Sequence, residues 1–223
     1  MLHIIPTPIG NREDITLRAL KLLKECEIFL CEDTRTFQKL LSMYDIPSKG
    51  KKLYALTSFT SEASLDFYTK LISENEVGLV SENGTPGLSD PGKELVKLCR
   101  LHDLKFEVLP GANALIPAIV SSNFDTSSFS YQGFLPTKKG RQTALKKILA
   151  SSDPVFIYES VHRIEKLLNE LDILGFKGRL LIIREISKMF EQKIFGTTTE
   201  IAEKIKSKKF TIKGEFVVGI IND

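Results

Sequence analysis

The first half of the sequence alternates short apolar runs with segments of helical periodicity, and this alternation constrains the fold more than any other feature. The runs suited to strands are Leu2–Pro6, Ile28–Cys31, Leu53–Thr57, Val77–Ser81 and Lys105–Pro110. Each is followed by a segment whose apolar residues recur at helical spacing, as Leu17, Leu20 and Leu23 do. Strands separated by helices are joined by crossover connections, which favour parallel pairing. The first half is therefore predicted to be an α/β domain built on a mostly parallel sheet.

The second half differs because two of its strand-like runs are consecutive. Arg179–Ile186 and Lys188–Thr197 follow one another without a helix between them, which predicts an antiparallel pair. The polar stretch Ser121–Ser130 precedes these runs and is the best candidate for a domain boundary. We therefore expect an N-terminal α/β domain over residues 1–122 and a smaller C-terminal mixed α/β domain over residues 123–223, with the active cleft between them.

Several classes of protein are excluded by what the sequence lacks. No apolar run reaches the roughly 18 residues that a membrane-spanning helix needs, and the N-terminal MLHIIPTPIGN lacks the basic and apolar regions of a signal peptide. Cys26, Cys31 and Cys99 are odd in number and lie in apolar stretches, and the histidines show no spacing typical of zinc ligands. We expect a cytoplasmic protein with buried, reduced thiols, no metal site and no membrane partner.

Positive charge is concentrated in the second half. Residues 111–223 hold 17 Lys and Arg against 12 Asp and Glu, and they include the runs Lys138–Arg141 and Lys204–Lys209. Such runs commonly form a solvated surface. The alternative is that they attract an anionic partner such as nucleic acid. Both interpretations stand at this point.

Three loops rich in glycine and proline follow strands of the predicted parallel sheet: Pro6–Asn11, Val80–Gly92 and Leu109–Ala114. Ligands of open parallel sheets bind beyond the carboxyl ends of the strands, so we expect the three loops to converge on one pocket. The plainer alternative is that each loop makes a tight turn. Neither the P-loop pattern nor the G-x-G-x-x-G pattern is present, so a phosphate cradle is not supported. The loops suit main-chain recognition of a ligand with few phosphates.

Charged clusters abut apolar strands at four places: Glu32–Arg35, Tyr158–Arg163, Arg184–Lys188 and Lys213–Phe216. The plainer alternatives are that Asp33 or Thr34 caps the next helix and that Ser160 does the same later in the chain. Four such clusters together predict a polar cleft between the two halves.

The motifs PTPIGN, DITLRAL, EDTR, GTP with SDPG, LPG, GFLP, YES-x-HR, RE-x-xK and KGE follow one another in this order over essentially the whole chain. With them, the sequence resembles the bacterial small-subunit (16S) ribosomal RNA cytidine 2′-O-ribose methyltransferases of the tetrapyrrole methylase superfamily. The resemblance implies a two-domain α/β fold, S-adenosylmethionine in the interdomain cleft, a homodimer, action in the cytoplasm, and ribosomal RNA or the small ribosomal subunit as the partner.

The resemblance also implies which residues form the site. The methyl donor would contact Pro8, Ile9, Gly10, Glu82, Asn83, Gly84, Thr85, Pro86, Pro110, Gly111, Ala112, Asn113, Ala114, Gly133, Phe134 and Leu135. On the acceptor side, the catalytic residues would be Asp33, Arg35, Glu159, His162 and Arg163. The acceptor would be bound by Arg184, Glu185 and Lys188.

The chain departs from the family pattern at several positions. The family usually has Asp-Ala where this chain has Glu82-Asn83, Pro-Ser or Pro-Cys where it has Ala112-Asn113, and proline at Val161. Donor binding through backbone atoms tolerates such replacements, so they bear mainly on the identity of the acceptor. Longer members of the family also extend beyond the point that corresponds to Asp223.

A ribose hydroxyl is too weak an acid to ionise at neutral pH, so its methylation calls for a general base or a nearby cation. The candidate bases are Asp33, Glu159, Glu185 and His162, and the candidate cations are Arg35, Arg163, Arg184 and Lys188. One alternative is a corrin or porphyrin methyltransferase, although those enzymes begin with a G-x-G-P-G-D-type loop that this chain lacks. Another is an inactive donor-binding or RNA-binding relative, which the intact EDTR and YES-x-HR motifs disfavour.

Overall fold

The computed structural model describes residues 1–222, and the chain divides between Asn113 and Ala114 into two compact units. Each unit contains one five-stranded sheet. The elements of the first unit are β1 (Leu2–Ile4), α1 (Leu17–Glu25), β2 (Ile28–Cys31), α2 (Thr34–Met43), β3 (Lys52–Ala55), α3 (Glu62–Glu74), β4 (Val77–Val80), α4 (Lys93–Leu101) and β5 (Phe106–Val108).

The sheet of the first unit has the strand order β3-β2-β4-β1-β5, and all of its adjacent strands are parallel. The prediction of a mostly parallel sheet in the first half is therefore confirmed. Because β1 pairs with both β4 and β5, the loops that follow these three strands leave the same edge of the sheet side by side.

Successive strand residues of this sheet are buried on opposite faces, as expected of a pleated strand. On one face, Leu30 and Leu79 pack with side chains of α3 and α4. On the other face, Phe29 and Val80 pack with side chains of α1 and α2. Each large apolar side chain that is fully buried in this way contributes about 1.5–3 kcal/mol to stability. The two helical layers thereby hold the strand ends, and the loops after them, in fixed positions.

Three of the four α-helices of the first unit, α1, α2 and α3, begin where a polar side chain accepts hydrogen bonds from amides of the first turn. Thr16 accepts a hydrogen bond from the Ala19 amide, and Asp33 accepts from two amides at the start of α2. Ser61 accepts from the Ser64 amide at the start of α3. Such caps fix the residue at which each helix begins.

The elements of the second unit are α5 (Leu115–Ser121), β6 (Ser130–Phe134), α6 (Arg141–Leu149), β7 (Val155–Ser160), α7 (Ile164–Ile173), β8 (Arg179–Arg184), β9 (Gln192–Gly196), α8 (Thr198–Lys206) and β10 (Glu215–Ile221). Its sheet has the order β6-β7-β10-β8-β9. β6 and β7 are parallel, whereas the other three pairs are antiparallel. The predictions of a mixed sheet and of an antiparallel pair, here β8 and β9, are confirmed.

Helix α5 lies on the C-terminal side of the division, whereas the boundary expected from the sequence, between residues 122 and 123, follows it. Leu115 and Ile119 of α5 form a cluster with Phe156 of β7, which accounts for the grouping of this helix with the second unit. The polar stretch that follows α5 connects it to β6 within the same unit.

All three cysteines are buried and unpaired, as the sequence analysis predicts. Burial raises the pKa of Cys26 to about 11 and that of Cys31 to about 12. These thiols therefore stay protonated and unreactive near neutral pH. Across residues 1–222, no helix is both long and apolar enough to cross a membrane.

Candidate active site

The loops after β1, β4 and β5 converge at the carboxyl edge of the first sheet. Thr7 in the first loop donates its amide to the Gly84 carbonyl at 2.9 Å, and its own carbonyl accepts the Gly84 amide at 3.0 Å. The hydroxyl of Thr85 donates to the carbonyl of Ala112 in the third loop at 3.0 Å. The predicted convergence of the three loops is therefore confirmed.

Gly84 is the residue at which the three loops approach most closely. Its φ of 83° lies in the left-handed region, and a Cβ there would lie 3.0 Å from Cγ2 of Ile9 and 3.4 Å from the carbonyl oxygen of Ala112. Gly111 is similarly confined, since a Cβ at that position would overlap the ring of Pro6. Glycine supplies both the unusual backbone angle and the room for this approach. The loops therefore present a wall made largely of main chain.

Buried hydroxyl groups fasten this wall from within. Thr7 is fully buried, and its hydroxyl donates to the carbonyl of Ser81 at 3.3 Å. The hydroxyl of Ser81 in turn donates to the Gly84 carbonyl at 3.2 Å. The Thr7 bond ties the first loop to the second, and the Ser81 bond braces the second loop internally, so the loops are held in shape before any ligand binds.

Most of the predicted donor residues lie in these three loops. Pro8, Ile9, Gly84 and Pro86 are buried, whereas Gly10, Glu82, Asn83 and Pro110 are exposed and Thr85, Gly111, Ala112 and Asn113 are half-buried. The remaining four belong to the second unit, where Gly133 and Leu135 are buried, Ala114 is half-buried and Phe134 is 53% exposed. The donor-binding roles of all these residues stay predictions.

The loop after β2 brings the carboxyl group of Glu32 close to Glu82 in the loop after β4. Burial raises the pKa of Glu32, and the negative charge of Glu82 raises it further. A cavity of about 10 Å³, room for about one water molecule, is lined by residues of both loops, among them Asp33 and Ser81. Glu32 belongs to the EDTR motif, but the sequence analysis assigns it no role. The structure identifies it as a carboxyl group that holds a proton more readily than usual.

Asp33 caps helix α2, which is the plainer of the two roles considered for it. Its Oδ1 accepts hydrogen bonds from the amides of Arg35 and Thr36 at 2.7 and 3.1 Å, and its Oδ2 accepts from Nη2 of Arg35 at 2.9 Å. The Arg35 side chain, and then the two amides, lower the pKa of Asp33 to about 2. A carboxylate of such low basicity is poorly suited to take a proton from a ribose hydroxyl. Its position instead orients the Arg35 guanidinium.

Glu159, the second candidate base, lies at the centre of a buried ion network. Its side chain is fully buried, and its oxygens accept from Nη1 of Arg141 at 3.1 Å and from the amide of Ser160 at 2.9 Å. It also forms an ion pair with Nε of Arg163 at 2.7 Å, while that Nε donates its hydrogen bond to Oγ of Ser160. Nε of Arg141 also pairs with Glu170 at 2.7 Å. With two arginines bound to it, Glu159 is placed to hold Arg163 in position rather than to accept a proton.

Arg141 corrects one interpretation of the sequence. The basic run Lys138–Arg141 suggested a solvated or ligand-attracting surface, yet Arg141 is only 2% exposed. It shares the buried face of α6 with Leu145 and Ile148, four and seven residues further on, so helical periodicity turns it inward. Its Nη2 is the one buried side-chain nitrogen or oxygen within residues 1–222 that has no hydrogen-bond partner.

His162 lies in a short 3-10 helix, Val161–Arg163, directly after β7. Its side chain is exposed, and in the described part of the chain it takes part in no hydrogen bond or ion pair. Its neighbour Arg163 is fixed by Glu159 and by a hydrogen bond of 2.9 Å to the carbonyl of Leu135. Of the four candidate bases, His162 is the one whose proton-accepting atoms are free and accessible.

Of the predicted acceptor-binding residues, Arg184 is the last residue of β8, and Glu185 and Lys188 lie in the turn between β8 and β9. Nζ of Lys188 donates to Glu185 and to Glu215, at 3.0 Å in each case. Burial alone would raise the pKa of Glu185, but the Glu215 amide and the Lys188 ammonium outweigh it and hold the pKa below its ordinary value. Arg184 is buried and donates to the carbonyls of Phe190 and Lys213, each at 2.9 Å. These three residues thus shape the turn, and Glu185 is a weak base.

Comparison of the sequence with those of known proteins relates the chain to one family. Residues 1–202 match the family described as tetrapyrrole (corrin/porphyrin) methylases. The chain is 37% identical over 241 residues to "Ribosomal RNA small subunit methyltransferase I" of Helicobacter pylori, covering 100% of this chain and 83% of that protein. It is 40% identical over 219 residues to the protein of the same name from Hydrogenobaculum, covering 97% of this chain and 94% of that protein.

Solved structures support the fold. The native form of uroporphyrin III C-methyl transferase from Thermus thermophilus superposes with a TM-score of 0.66 at 18% identity, over 98% of this chain and 96% of that one. The methyltransferase CobJ superposes with a TM-score of 0.69 at 14% identity, over 99% of this chain and 93% of that one. Since the sequence match spans nearly the whole chain, this protein belongs to the tetrapyrrole (corrin/porphyrin) methylase family, in the branch of the ribosomal RNA small subunit methyltransferase I proteins.

Proposed function

We propose that this protein transfers a methyl group from S-adenosylmethionine to the 2′-hydroxyl of a cytidine in small-subunit ribosomal RNA. The observation that carries the proposal is the backbone wall around Gly84, in a chain related over its whole length to proteins named for small-subunit ribosomal RNA methylation. As a member of the methylase family, the protein is an S-adenosylmethionine-dependent methyltransferase. The ribose acceptor and the residue roles below are the new parts of the proposal.

The donor is assigned to the three loops of the first unit because their chemistry fits it. S-adenosylmethionine carries no phosphate, and the loops have no lysine placed as in a P-loop. They offer closely packed main chain, with no room for a side chain at Gly84. When bound, the donor supplies an electrophilic methyl group on a sulfonium, and the loops contribute by holding it in one orientation.

Activation of the acceptor is assigned to the second unit. His162 accepts the proton of the ribose 2′-hydroxyl as the oxygen attacks, because it is the free and exposed base. Arg163, held by Glu159, stabilises the negative charge that develops on that oxygen. Arg35 of the first unit, oriented by Asp33, is assigned to an RNA phosphate.

The assembly is proposed to be a homodimer acting in the cytoplasm. Helix α5 supports a dimer because it exposes two large apolar side chains, Ile116 at 52% and Val120 at 79%. Light scattering on the purified protein tests this, and Val120→Asp should convert a dimer into monomers. A wild-type protein that is monomeric at micromolar concentration would contradict it.

The test of the activity uses labelled S-adenosylmethionine and small ribosomal subunits from cells that lack this methylation. We expect label in the RNA, at a cytidine whose 3′ phosphodiester bond becomes resistant to alkali, because alkaline cleavage requires a free 2′-hydroxyl. Uroporphyrinogen III serves as the competing acceptor, which tests the corrin or porphyrin alternative. Transfer to the tetrapyrrole, or donor binding without transfer to any RNA, would contradict the proposal.

A further inference from the structure

The turn between β8 and β9 exposes two large apolar side chains at its tip. Met189 is 90% exposed and Phe190 is 67% exposed, although β8, the strand before the turn, is mostly buried. Neither side chain is needed to fill the core of the second unit. An aromatic ring presented to solvent in this way is more typical of a binding surface than of a structural turn.

The tip is held rigidly. Nη1 of Arg184 donates to the Phe190 carbonyl at 2.9 Å, and the Ser187 amide donates to Oε2 of Glu191 at 2.7 Å. The amide of Lys188 donates to the Glu185 carbonyl at 2.9 Å, which closes the turn before the tip. A side chain on a fixed backbone loses less conformational entropy on binding than one on a flexible loop. The tip is therefore prepared for contact with a partner.

A lysine-rich segment runs beside the tip. Arg184 donates to the carbonyl of Lys213 as well as to that of Phe190, and Oε1 of Gln192 accepts both Nη1 of Arg184 and the amide of Thr211. Arg184 and Gln192 thereby join the turn to the connection between α8 and β10. Residues 204–213, which include this connection, contain five lysines and no Asp or Glu.

Lys208, Lys209 and Lys213 of that segment are exposed. None of the three forms an ion pair with another residue in the range 1–222, whereas Lys188 in the neighbouring turn is paired with two carboxylates. An exposed aromatic tip with unpaired cations beside it matches the chemistry of single-stranded nucleic acid, in which a base stacks and phosphates pair with lysines.

We propose that Met189, Phe190, Lys208, Lys209 and Lys213 form a contact surface for a single-stranded segment of RNA outside the reacting nucleotide. We call this set the tip–lysine surface. One base stacks on Phe190, and the flanking phosphates lie along the lysines. This inference rests on the proposed ribosomal RNA substrate and adds to it the place where the RNA is gripped.

Two variants of the tip–lysine surface are compared with a matched control. The variants are Phe190→Ala and the double variant Lys208→Glu with Lys209→Glu. The matched control is Lys146→Glu with Lys147→Glu, the same charge change at exposed positions of α6. These control residues lie near the opposite end of β10 from Lys213, because Asn222 donates to the carbonyls of Ile148 and Ser151. Since β10 has seven residues, the two ends are roughly 20 Å apart at about 3.3 Å per residue.

The measurements are RNA affinity by fluorescence anisotropy at several salt concentrations, donor affinity by calorimetry, and methyl transfer to subunits. The probe is a labelled single-stranded segment of small-subunit ribosomal RNA.

Phe190→Ala should weaken RNA binding on the order of tenfold at all salt concentrations, since stacking is a short-range interaction. The lysine double variant should weaken it at low salt and reduce the slope of the salt dependence by about 0.7 for each phosphate that is no longer neutralised. Donor affinity should stay at the wild-type value in both.

Failure of this inference can be distinguished from failure of the proposed function. If the wild-type protein methylates subunits while the tip and lysine variants bind RNA like the control, the tip–lysine surface is wrong and the function stands. If Phe190→Ala instead turns a dimer into monomers and leaves RNA affinity unchanged, the tip is a contact between copies and the inference is overturned. A wild-type protein that transfers no methyl group to RNA refutes the proposed function itself.

Discussion

The hydroxyl of Thr85 donates a hydrogen bond of 3.0 Å to the carbonyl of Ala112, which joins the loop after β4 to the loop after β5. With the hydroxyls of Thr7 and Ser81, it is one of the side-chain links in a wall made largely of main chain. Its loss should therefore lower the stability of the loops and, under the proposed function, their affinity for the donor.

Thr85→Val is expected to lower the free energy of unfolding by about 1 kcal/mol, because it removes the hydroxyl at nearly constant volume. Donor affinity should fall as well, with a smaller effect on kcat. Urea denaturation and calorimetry with S-adenosylmethionine measure the two effects. Thr85→Ser keeps the hydroxyl and should bind the donor like the wild type. Equal affinities for the valine and serine variants would show that the link does not shape the donor site.

Gly84→Ala should weaken donor binding at least about tenfold, because the added methyl group meets Ile9 and the Ala112 carbonyl. The matched control is Gly50→Ala. Gly50 has a similar φ of 92°, but a Cβ there would have no heavy atom within 4 Å. Both variants carry the backbone strain of about 1–2 kcal/mol for a left-handed residue with a side chain. A loss of donor affinity in both variants would assign the effect to stability rather than to the wall.

Glu159→Gln is expected to destabilise the second unit by about 3 kcal/mol, since it removes the fully buried carboxylate that pairs with both Arg141 and Arg163 and leaves Arg141 with Glu170 alone. Differential scanning calorimetry would show this as a lowered transition temperature. Lys166→Gln in α7 is the control, because its contact with Glu170 is long, at 3.9 Å, and half exposed. If Glu159→Gln kept full stability and lost only kcat, the carboxylate would have to be counted among the proton acceptors after all.

His162→Ala should leave the free energy of unfolding within about 0.5 kcal/mol of the wild type, because the side chain is exposed. Under the proposed mechanism, kcat should fall by about a hundredfold or more while donor affinity is unchanged. Single-turnover methyl transfer separates chemistry from binding. Transfer at the wild-type rate would remove His162 from the role of general base.

Asp33 should contribute to stability above about pH 4 and lose that contribution as the pH falls toward 2. Its pKa is lowered to about 2 in the folded protein from 3.8 in the unfolded chain, so the unfolded state binds the proton first. Asp33→Ser retains a helix-capping oxygen but not the charge. The stability difference between this variant and the wild type, measured by urea denaturation, should be present at pH 7 and shrink between pH 4 and pH 2. A difference that is constant over that range would show that the carboxylate charge does not matter.

Features encoded by local periodicity were predictable from the sequence. The alternation of strands and helices indicated the parallel sheet, and adjacency in that sheet led to the convergence of the loops on Gly84. Helix α4 begins at Lys93, because Gly92 directly before it has a φ of 134° that no helix adopts.

Features that depend on distant partners were not predictable. The burial of Arg141 is caused by Glu159 and Glu170, which lie 18 and 29 residues further along the chain. A basic run with no carboxylate next to it gives no local sign of such partners. Likewise, the free imidazole of His162 could be distinguished from the engaged carboxylates of Asp33 and Glu159 only once their contacts were known.

The main-chain wall around Gly84 has a consequence for how this protein can diverge. The loops are joined through amides, carbonyls and the hydroxyls of Thr7, Ser81 and Thr85, so the exposed side chains of Glu82 and Asn83 are not part of these links. Mutations can therefore accumulate at these positions without altering the shape of the wall, while Gly84 itself has almost no permitted replacement. Positions that tolerate mutation and a position that does not thus lie within three residues of one another. In a saturation library across residues 82–84, we expect many functional variants at positions 82 and 83 and almost none at position 84.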